Sequence, residues 1–83
     1  MTTLVKIPAT FASDRSDREL PMGNIVSRNK RHWVCEMDAD TLADLEDDAR
    51  YYRDMYDMGD MREYRSECES ARRTLAAIAK ATA

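Results

Sequence analysis

The sequence contains little of what catalytic chemistry requires. Its 83 residues include one histidine, two cysteines and one tryptophan. No serine, cysteine or carboxylate pair stands in a recognisable nucleophile or phosphate-loop motif. A chain of this length also excludes separate cofactor and substrate lobes. We therefore expect a protein that is not an enzyme and that holds no cofactor and no metal ion.

Two cysteines are too few for a disulfide scaffold, and the best metal-ligand spacing is His32-x-x-Cys35. Alternation along a strand sends residues 32 and 35 to opposite faces, which prevents shared metal ligation, and adding Cys68 leaves the set one ligand short. We expect His32 at the surface, and Cys35 and Cys68 as buried free thiols in a chain without an export signal.

Long apolar runs are missing as well. Charged residues make up 35% of the chain, which excludes a membrane span. No basic stretch precedes an apolar run with a cleavage site, so we expect a cytoplasmic protein. A domain of this size buries only about 60% of its unfolded surface. Because so small a core gives little stability, we expect the chain to form a homodimer or to be a subunit of a complex.

What the chain does have is charge, and the charge is segregated. Residues 1–35 hold six basic and three acidic residues, residues 36–69 hold four basic and thirteen acidic ones, and residues 70–83 hold three basic ones. An acidic segment repels nucleic acid and attracts basic surfaces. The pattern therefore predicts an acidic middle between two basic flanks.

Apolar residues alternate over residues 3–11, which predicts a half-buried strand. Pro8 has no N–H, so this strand lies at a sheet edge or ends near residue 7. The periodicity vanishes over residues 12–24, which predicts a long loop.

That loop contains a tandem Ser-Asp-Arg repeat followed by Glu19. Ser16 and Glu19 have the spacing of a capping box around a single helical turn. Because long loops are often functional, residues 13–19 are either a contact site or a solvated connector.

Two β-rich runs around a polar turn at Asn29-Lys30 predict a hairpin over residues 25–37. Asparagine tolerates the left-handed conformation of the first turn position. In the second run Trp33, Cys35 and Met37 share a face, which we expect to be the core side.

The remaining half predicts two helices, over residues 40–58 and 61–81. Asp38 or Asp40 suits the first N-cap, and Gly59-Asp60 suits the break between the helices. Each helix carries one apolar stripe at steps of three and four residues. The stripes are Leu42, Leu45, Ala49, Tyr52 and Tyr56, then Met61, Tyr64, Cys68, Ala71, Leu75 and Ile78. They predict an antiparallel αα-hairpin.

Together these elements predict an α+β fold in one domain over residues 1–83. The order along the chain is strand, loop, hairpin, helix, helix. A small antiparallel sheet, made of the edge strand and the hairpin, is expected to pack on the C-terminal αα-hairpin.

The first predicted helix is the leading candidate for a functional surface. No basic residue occurs between Asp38 and Asp48, whereas a solubilising face usually interleaves both signs. Outward carboxylates of this kind can occupy a basic groove on a protein partner and imitate nucleic-acid phosphates. Methionine and tyrosine near the helical turn supply adaptable contact area or simply fill the core. The expected partner-binding residues are Asp44, Asp47, Asp48, Tyr51, Met55, Met58 and Met61.

The alternative is a nucleic-acid site at the hairpin tip. Three positive charges and an aromatic ring lie close together there, as in a nucleic-acid-binding ribbon. A basic turn also serves simply to discourage edge pairing. The residues of this alternative site are Arg28, Lys30, Arg31 and Trp33.

Lys30-Arg31-His32 in a strand, followed by the acidic helical run from Leu42 to Tyr52, resembles small accessory proteins encoded by bacteriophages, particularly those of actinobacterial hosts. The resemblance covers residues 3–54 and contains no functional motif. It implies a phage product in the host cytoplasm that acts on a host component or on phage development. The expected function is a protein-interaction module that binds and inhibits or modulates a host protein, and the alternative is a small nucleic-acid-binding regulator.

Overall fold

The computed structural model describes residues 2–57 and 65–83, without the side chains of residues 56 and 57. The elements are β1 (Thr3–Pro8), α1 (Ala9–Asp17), β2 (Asn24–Arg28), β3 (His32–Met37), α2 (Ala39–Asp57) and α3 (Arg65–Thr82). The strands form one antiparallel sheet in the order β1-β3-β2. α2 and α3 pack on each other, and α3 packs along β1. The predicted α+β architecture is confirmed.

β1 is the edge strand that Pro8 predicts, and it pairs with β3 on one side only. Val5 and Ile7 are fully buried against the helices. Leu4 and Lys6 point to the opposite face and are exposed. The predicted alternation is therefore confirmed as far as Ile7, and the strand ends at Pro8, which is itself buried.

The prediction of a strand continuing to residue 11 and a loop over residues 12–24 is wrong, because α1 begins directly after Pro8. Proline cannot extend the ladder of the strand, and the chain turns at this position. The buried side chains of α1 are Phe11, Ala12 and Arg15. These positions have helical spacing, but the third of them is an arginine. The apolar periodicity was hidden because a charged residue occupies a core position.

The predicted capping box of Ser16 and Glu19 is also wrong. Ser16 lies inside α1, and its carbonyl oxygen accepts a hydrogen bond from the N–H of Glu19 at 3.0 Å. Glu19 has a φ of 59°. This left-handed residue ends the helix and reverses the chain direction, so residues 13–19 are mostly helix rather than loop.

The predicted hairpin is confirmed, but its turn works differently from the expectation. Asn29 has no positive φ. Its side-chain Oδ1 instead accepts hydrogen bonds from the N–H groups of Arg31 and His32, each at 2.8 Å. The N–H of Ala9 also donates to the carbonyl oxygen of Arg31 at 2.9 Å. These bonds hold the tip in one shape and tie it to the start of α1.

β2 is the second edge of the sheet, and all five of its residues are exposed. A β-bulge interrupts its register between Ile25 and Ser27. Gly23, which precedes β2, has a φ of 68°, and a Cβ at this position would clash with the carbonyl oxygen of Glu36. Only glycine permits this close approach to β3.

α2 begins where the acidic sequence predicts. The Oδ1 of Asp38 accepts a hydrogen bond from the N–H of Thr41 at 2.8 Å, which identifies Asp38 as the N-cap. That backbone hydrogen bond lowers the pKa of Asp38 below its ordinary value. The thiol of Cys68 donates to the carbonyl oxygen of Tyr52 at 3.0 Å, so the end of α2 meets the start of α3 and the helices run antiparallel.

The apolar stripes of the two helices meet the inner face of the sheet. Their buried members are Leu45, Ala49, Cys68, Ala71 and Ile78, with Leu42, Tyr52 and Leu75 half-buried beside them. The expected core face of β3 is confirmed, since Cys35 and Met37 are buried and Trp33 packs on the core.

The residues predicted to break the two helices, Gly59 and Asp60, lie outside the described residues, as do Met61 and Tyr64 of the second stripe. Nowhere in residues 2–57 and 65–83 is a helix long and apolar enough to span a bilayer.

Leu45→Ala is expected to lower the free energy of unfolding by about 2–5 kcal/mol, because a fully buried leucine leaves a cavity between α2 and the sheet. Leu75→Ala is expected to cost less, because Leu75 is only half-buried. Urea denaturation of both variants measures the two losses. Equal losses of unfolding free energy in the two variants, or no loss in Leu45→Ala, would contradict this packing.

Candidate functional site

Arg15 is fully buried, and its guanidinium joins α1 to α2. Nη1 donates to Oδ2 of Asp48 at 2.9 Å, and Nη2 donates to Oδ2 of Asp44 at 3.0 Å. Nη2 also donates to the carbonyl oxygen of Pro21 at 2.8 Å. A buried cation needs such partners, and two acidic side chains of α2 supply them.

Arg18 adds a second contact to Asp48 and pairs with Asp14 of its own helix. Its Nη2 lies 3.0 Å from Oδ2 of Asp48 and 2.8 Å from Oδ2 of Asp14. The guanidinium also lies over the ring of Tyr52, 5.4 Å from the centroid. Burial opposes the charge of Arg18, but the hydrogen bond and charge of Asp48 prevail and raise its pKa. Burial raises the pKa of Tyr52, and the positive charge of Arg18 partly opposes this shift.

This network corrects the expectation of an outward carboxylate at Asp48, whereas Asp40 and Asp47 are exposed as expected. The side chain of Asp48 is 14% exposed and contacts two arginines. Asp44 is half exposed, but one of its oxygens is occupied by Arg15. Both residues link α1 to α2, and their role in binding a partner stays a prediction.

The other expected partner-binding residues are spread along α2. Asp47 is exposed, and Tyr51 is 59% exposed with its ring against Tyr52. Met55 is half-buried. Met58 and Met61 lie outside the described residues.

The hairpin tip brings the expected basic residues together. Arg28, Lys30 and Arg31 are exposed, and the guanidinium of Arg28 lies 5.2 Å from the centroid of the Trp33 ring. Trp33 is half-buried and packs on the core, so it anchors Arg28. The predicted cluster therefore exists as a surface of three cations on a fixed turn.

A second basic site lies where β1 and α3 run side by side, and we call it the β1–α3 groove. It has a volume of about 550 Å³. Its lining residues are Leu4, Lys6, Pro8, His32, Arg73, Ala77, Lys80 and Ala81. Every ionisable group among them is basic, and none is a carboxylate. The floor is made of small or apolar side chains.

Ion pairing divides the cations of the molecule into two sets. Between described residues, ion pairs are formed by Arg15, Arg18, Arg50, Arg53 and Arg65, on α1, α2 and the start of α3. In the part of the chain that the structure describes, the cations without an ion pair are Lys6, Arg28, Lys30, Arg31, Arg73 and Lys80. The second set occupies the hairpin tip and the β1–α3 groove.

Sequence reasoning missed the β1–α3 groove because its two walls are more than 60 residues apart in the chain. Two weak signals were present. Strand alternation places Lys6 opposite the buried face of β1, and the seven-residue spacing places Arg73 and Lys80 on one face of α3. Only the packing of α3 along β1 brings these three side chains to one groove.

The histidine and the two cysteines lie apart. His32 lines the β1–α3 groove, while Cys35 is buried in the core, so the expected opposite faces are confirmed. Both cysteines are buried, as expected, and no disulfide joins them in the part of the chain that the structure describes. Burial raises the pKa of the Cys35 thiol. Among residues 2–57 and 65–83 there is no group of three or more histidine, cysteine or acidic side chains that could hold a metal ion.

Comparison with family models, with curated proteins and with solved structures found no match to this chain.

Arg15→Gln is expected to lower the free energy of unfolding by about 2–4 kcal/mol, because it leaves Asp44 and Asp48 without their buried partner. The matched control is Arg50→Gln, which removes an exposed ion pair with Glu46 and is expected to cost less than about 0.5 kcal/mol. Urea denaturation of both variants measures the difference. Similar losses for the two variants would show that Arg15 is not the link between α1 and α2.

Proposed function

We propose that this chain is a small, non-enzymatic nucleic-acid-binding protein whose binding surface is basic. The observation that supports the proposal most directly is the division of its cations. Six of them, on the hairpin tip and in the β1–α3 groove, have no ion pair within the described residues. Unpaired cations are the groups that release counterions from a phosphate backbone.

The net charge of −3 does not oppose this proposal as strongly as the sequence suggests. Several carboxylates of α2 are paired with arginines of the same molecule. Asp44 and Asp48 contact Arg15, and Glu46 contacts Arg50. Opposite charges in contact largely cancel one another at distances that are long compared with their separation. A polyanion that approaches the hairpin tip or the β1–α3 groove therefore meets cations that no contacting carboxylate neutralises in the described chain, while Asp40 and Asp47 stay exposed on α2.

The hairpin tip suits first contact with a phosphate backbone. Hydrogen bonds to Asn29 fix the turn, so Lys30 and Arg31 project from a rigid support. Arg28 is held over Trp33 and keeps its N–H groups free of acidic partners in the described chain. Cations held in place lose less conformational entropy on binding than cations on a flexible tail.

A second candidate function is binding of a basic protein partner through α2, as the acidic sequence suggests. Asp40 and Asp47 are exposed and have no ion pair in the described ranges, and Tyr51 exposes 59% of its surface beside them. This smaller strip suits a contact with a host or phage protein. The resemblance to phage accessory proteins, the homodimer and the cytoplasmic location stay predictions.

The combined variant Arg28→Gln, Lys30→Gln and Arg31→Gln is expected to weaken nucleic-acid binding by about 10-fold or more. Loss of three phosphate contacts also reduces the slope of log K against log salt by about 2–3. Fluorescence anisotropy with labelled oligonucleotides over a range of salt concentrations measures both quantities.

The matched control replaces Arg50, Arg53 and Arg65 by glutamine, which changes the net charge equally but removes cations that have an ion pair. We expect it to change the affinity less than about 3-fold. Equal weakening by the two triple variants would contradict a localised basic site. If wild type binds no oligonucleotide and instead retains a basic protein that the combined variant Asp40→Asn and Asp47→Asn releases, the second candidate function is correct.

A further inference from the structure

Resting on the proposed function, we propose that the β1–α3 groove binds the backbone of single-stranded nucleic acid, and that duplexes contact only the hairpin tip. The groove consists of one wall from β1, at Leu4, Lys6 and Pro8, and one wall from α3. It is a concave site on a molecule whose other basic surface is a projecting turn.

The spacing of the cations fits a strand that runs along the groove. Arg73 and Lys80 are seven residues apart on α3, which corresponds to about 10 Å along the helix. Lys6 lies on the facing wall. A nucleic-acid strand carries one phosphate per about 3.4 Å when stacked, so this length holds about three phosphates. Three cations are available for them.

The lining residues suit a ligand that combines anionic groups with apolar surface. Lysine and arginine side chains only donate hydrogen bonds, and no acidic side chain lines the groove to repel the ligand. Leu4 is 56% exposed, and Ala77 and Ala81 leave the floor shallow enough for sugars or bases to lie on it. Phosphate contacts and stacking on an apolar floor carry little sequence information, so binding is expected to be independent of sequence.

The size of the groove favours a single strand over a duplex. A volume of about 550 Å³ falls in the range of sites that enclose a drug-sized ligand, which is comparable to one or two nucleotides. A duplex is a stiff convex rod, and it cannot enter a cleft of this size between a strand and a helix. A flexible single strand can follow the floor of the cleft.

The path of the strand is set by the charges at the two ends of the groove. At one end Leu4 pairs across the sheet with Glu36, and the chain continues from β3 into Asp38 and Asp40. At the other end Pro8 pairs with His32, which follows Arg31 of the hairpin tip. We therefore expect the bound nucleic-acid strand to leave the groove past His32, towards the basic hairpin tip.

The test compares a labelled ten-nucleotide oligothymidine with a labelled 20-base-pair duplex, using fluorescence anisotropy at several salt concentrations. The groove variant combines Lys6→Gln, Arg73→Gln and Lys80→Gln. We expect it to bind the oligothymidine at least 10-fold more weakly than wild type, with a salt slope reduced by about 2, and to bind the duplex within 3-fold of wild type. The triple variant of Arg50, Arg53 and Arg65 is the charge-matched control.

A second variant, Ala81→Phe, fills the groove from an exposed position without changing the charge. We expect it to weaken oligothymidine binding and to leave duplex binding unchanged, with circular dichroism confirming that both variants fold.

An oligoglutamate that competes as well as the oligothymidine would overturn the proposal and assign the groove to an acidic peptide. If the hairpin variant weakens binding and neither groove variant does, the groove proposal is wrong while the proposed function stands. If no oligonucleotide binds, both are wrong.

Discussion

The buried guanidinium of Arg15 is the interaction on which the rest of the molecule depends. It sits at a core position of α1, where an apolar side chain would be usual, and it requires two carboxylates of α2 and the carbonyl oxygen of Pro21. A buried charge of this kind is costly unless every partner is present. The position of α1 on α2 is therefore specified by charge and hydrogen bonding as well as by apolar packing.

This requirement also determines the outer charge of the protein. Because the Arg15 and Arg18 guanidinium groups take up Asp48 and part of Asp44, the densest acidic run of the sequence does not produce an equally dense acidic surface. The basic residues of β1 and of the end of α3 have no such neighbours in the described chain. The electrostatic character of the surface thus differs from the charge count along the sequence.

Periodicity predicted the strands and helices that bury apolar side chains. The inner face of β3 and the stripes of α2 and α3 follow from it, while the edge position of β1 follows from Pro8. α1 was missed, because Arg15 hides the helical spacing of its buried face. The β1–α3 groove was missed for a different reason, since Lys6 and Arg73 meet only through packing between distant segments. The hairpin tip was found because its cations are consecutive in the chain.

The bulge in β2 has a consequence for how copies of the protein meet in solution. An exposed edge strand with Ile25 and Val26 on its surface is a template on which another sheet can grow by backbone hydrogen bonding. The irregular register after Ile25 breaks the even row of donors and acceptors that a growing sheet needs, and the adjoining cations of the tip repel an identical neighbour. The same basic turn that suits a phosphate backbone therefore also protects the free edge of the sheet against aggregation.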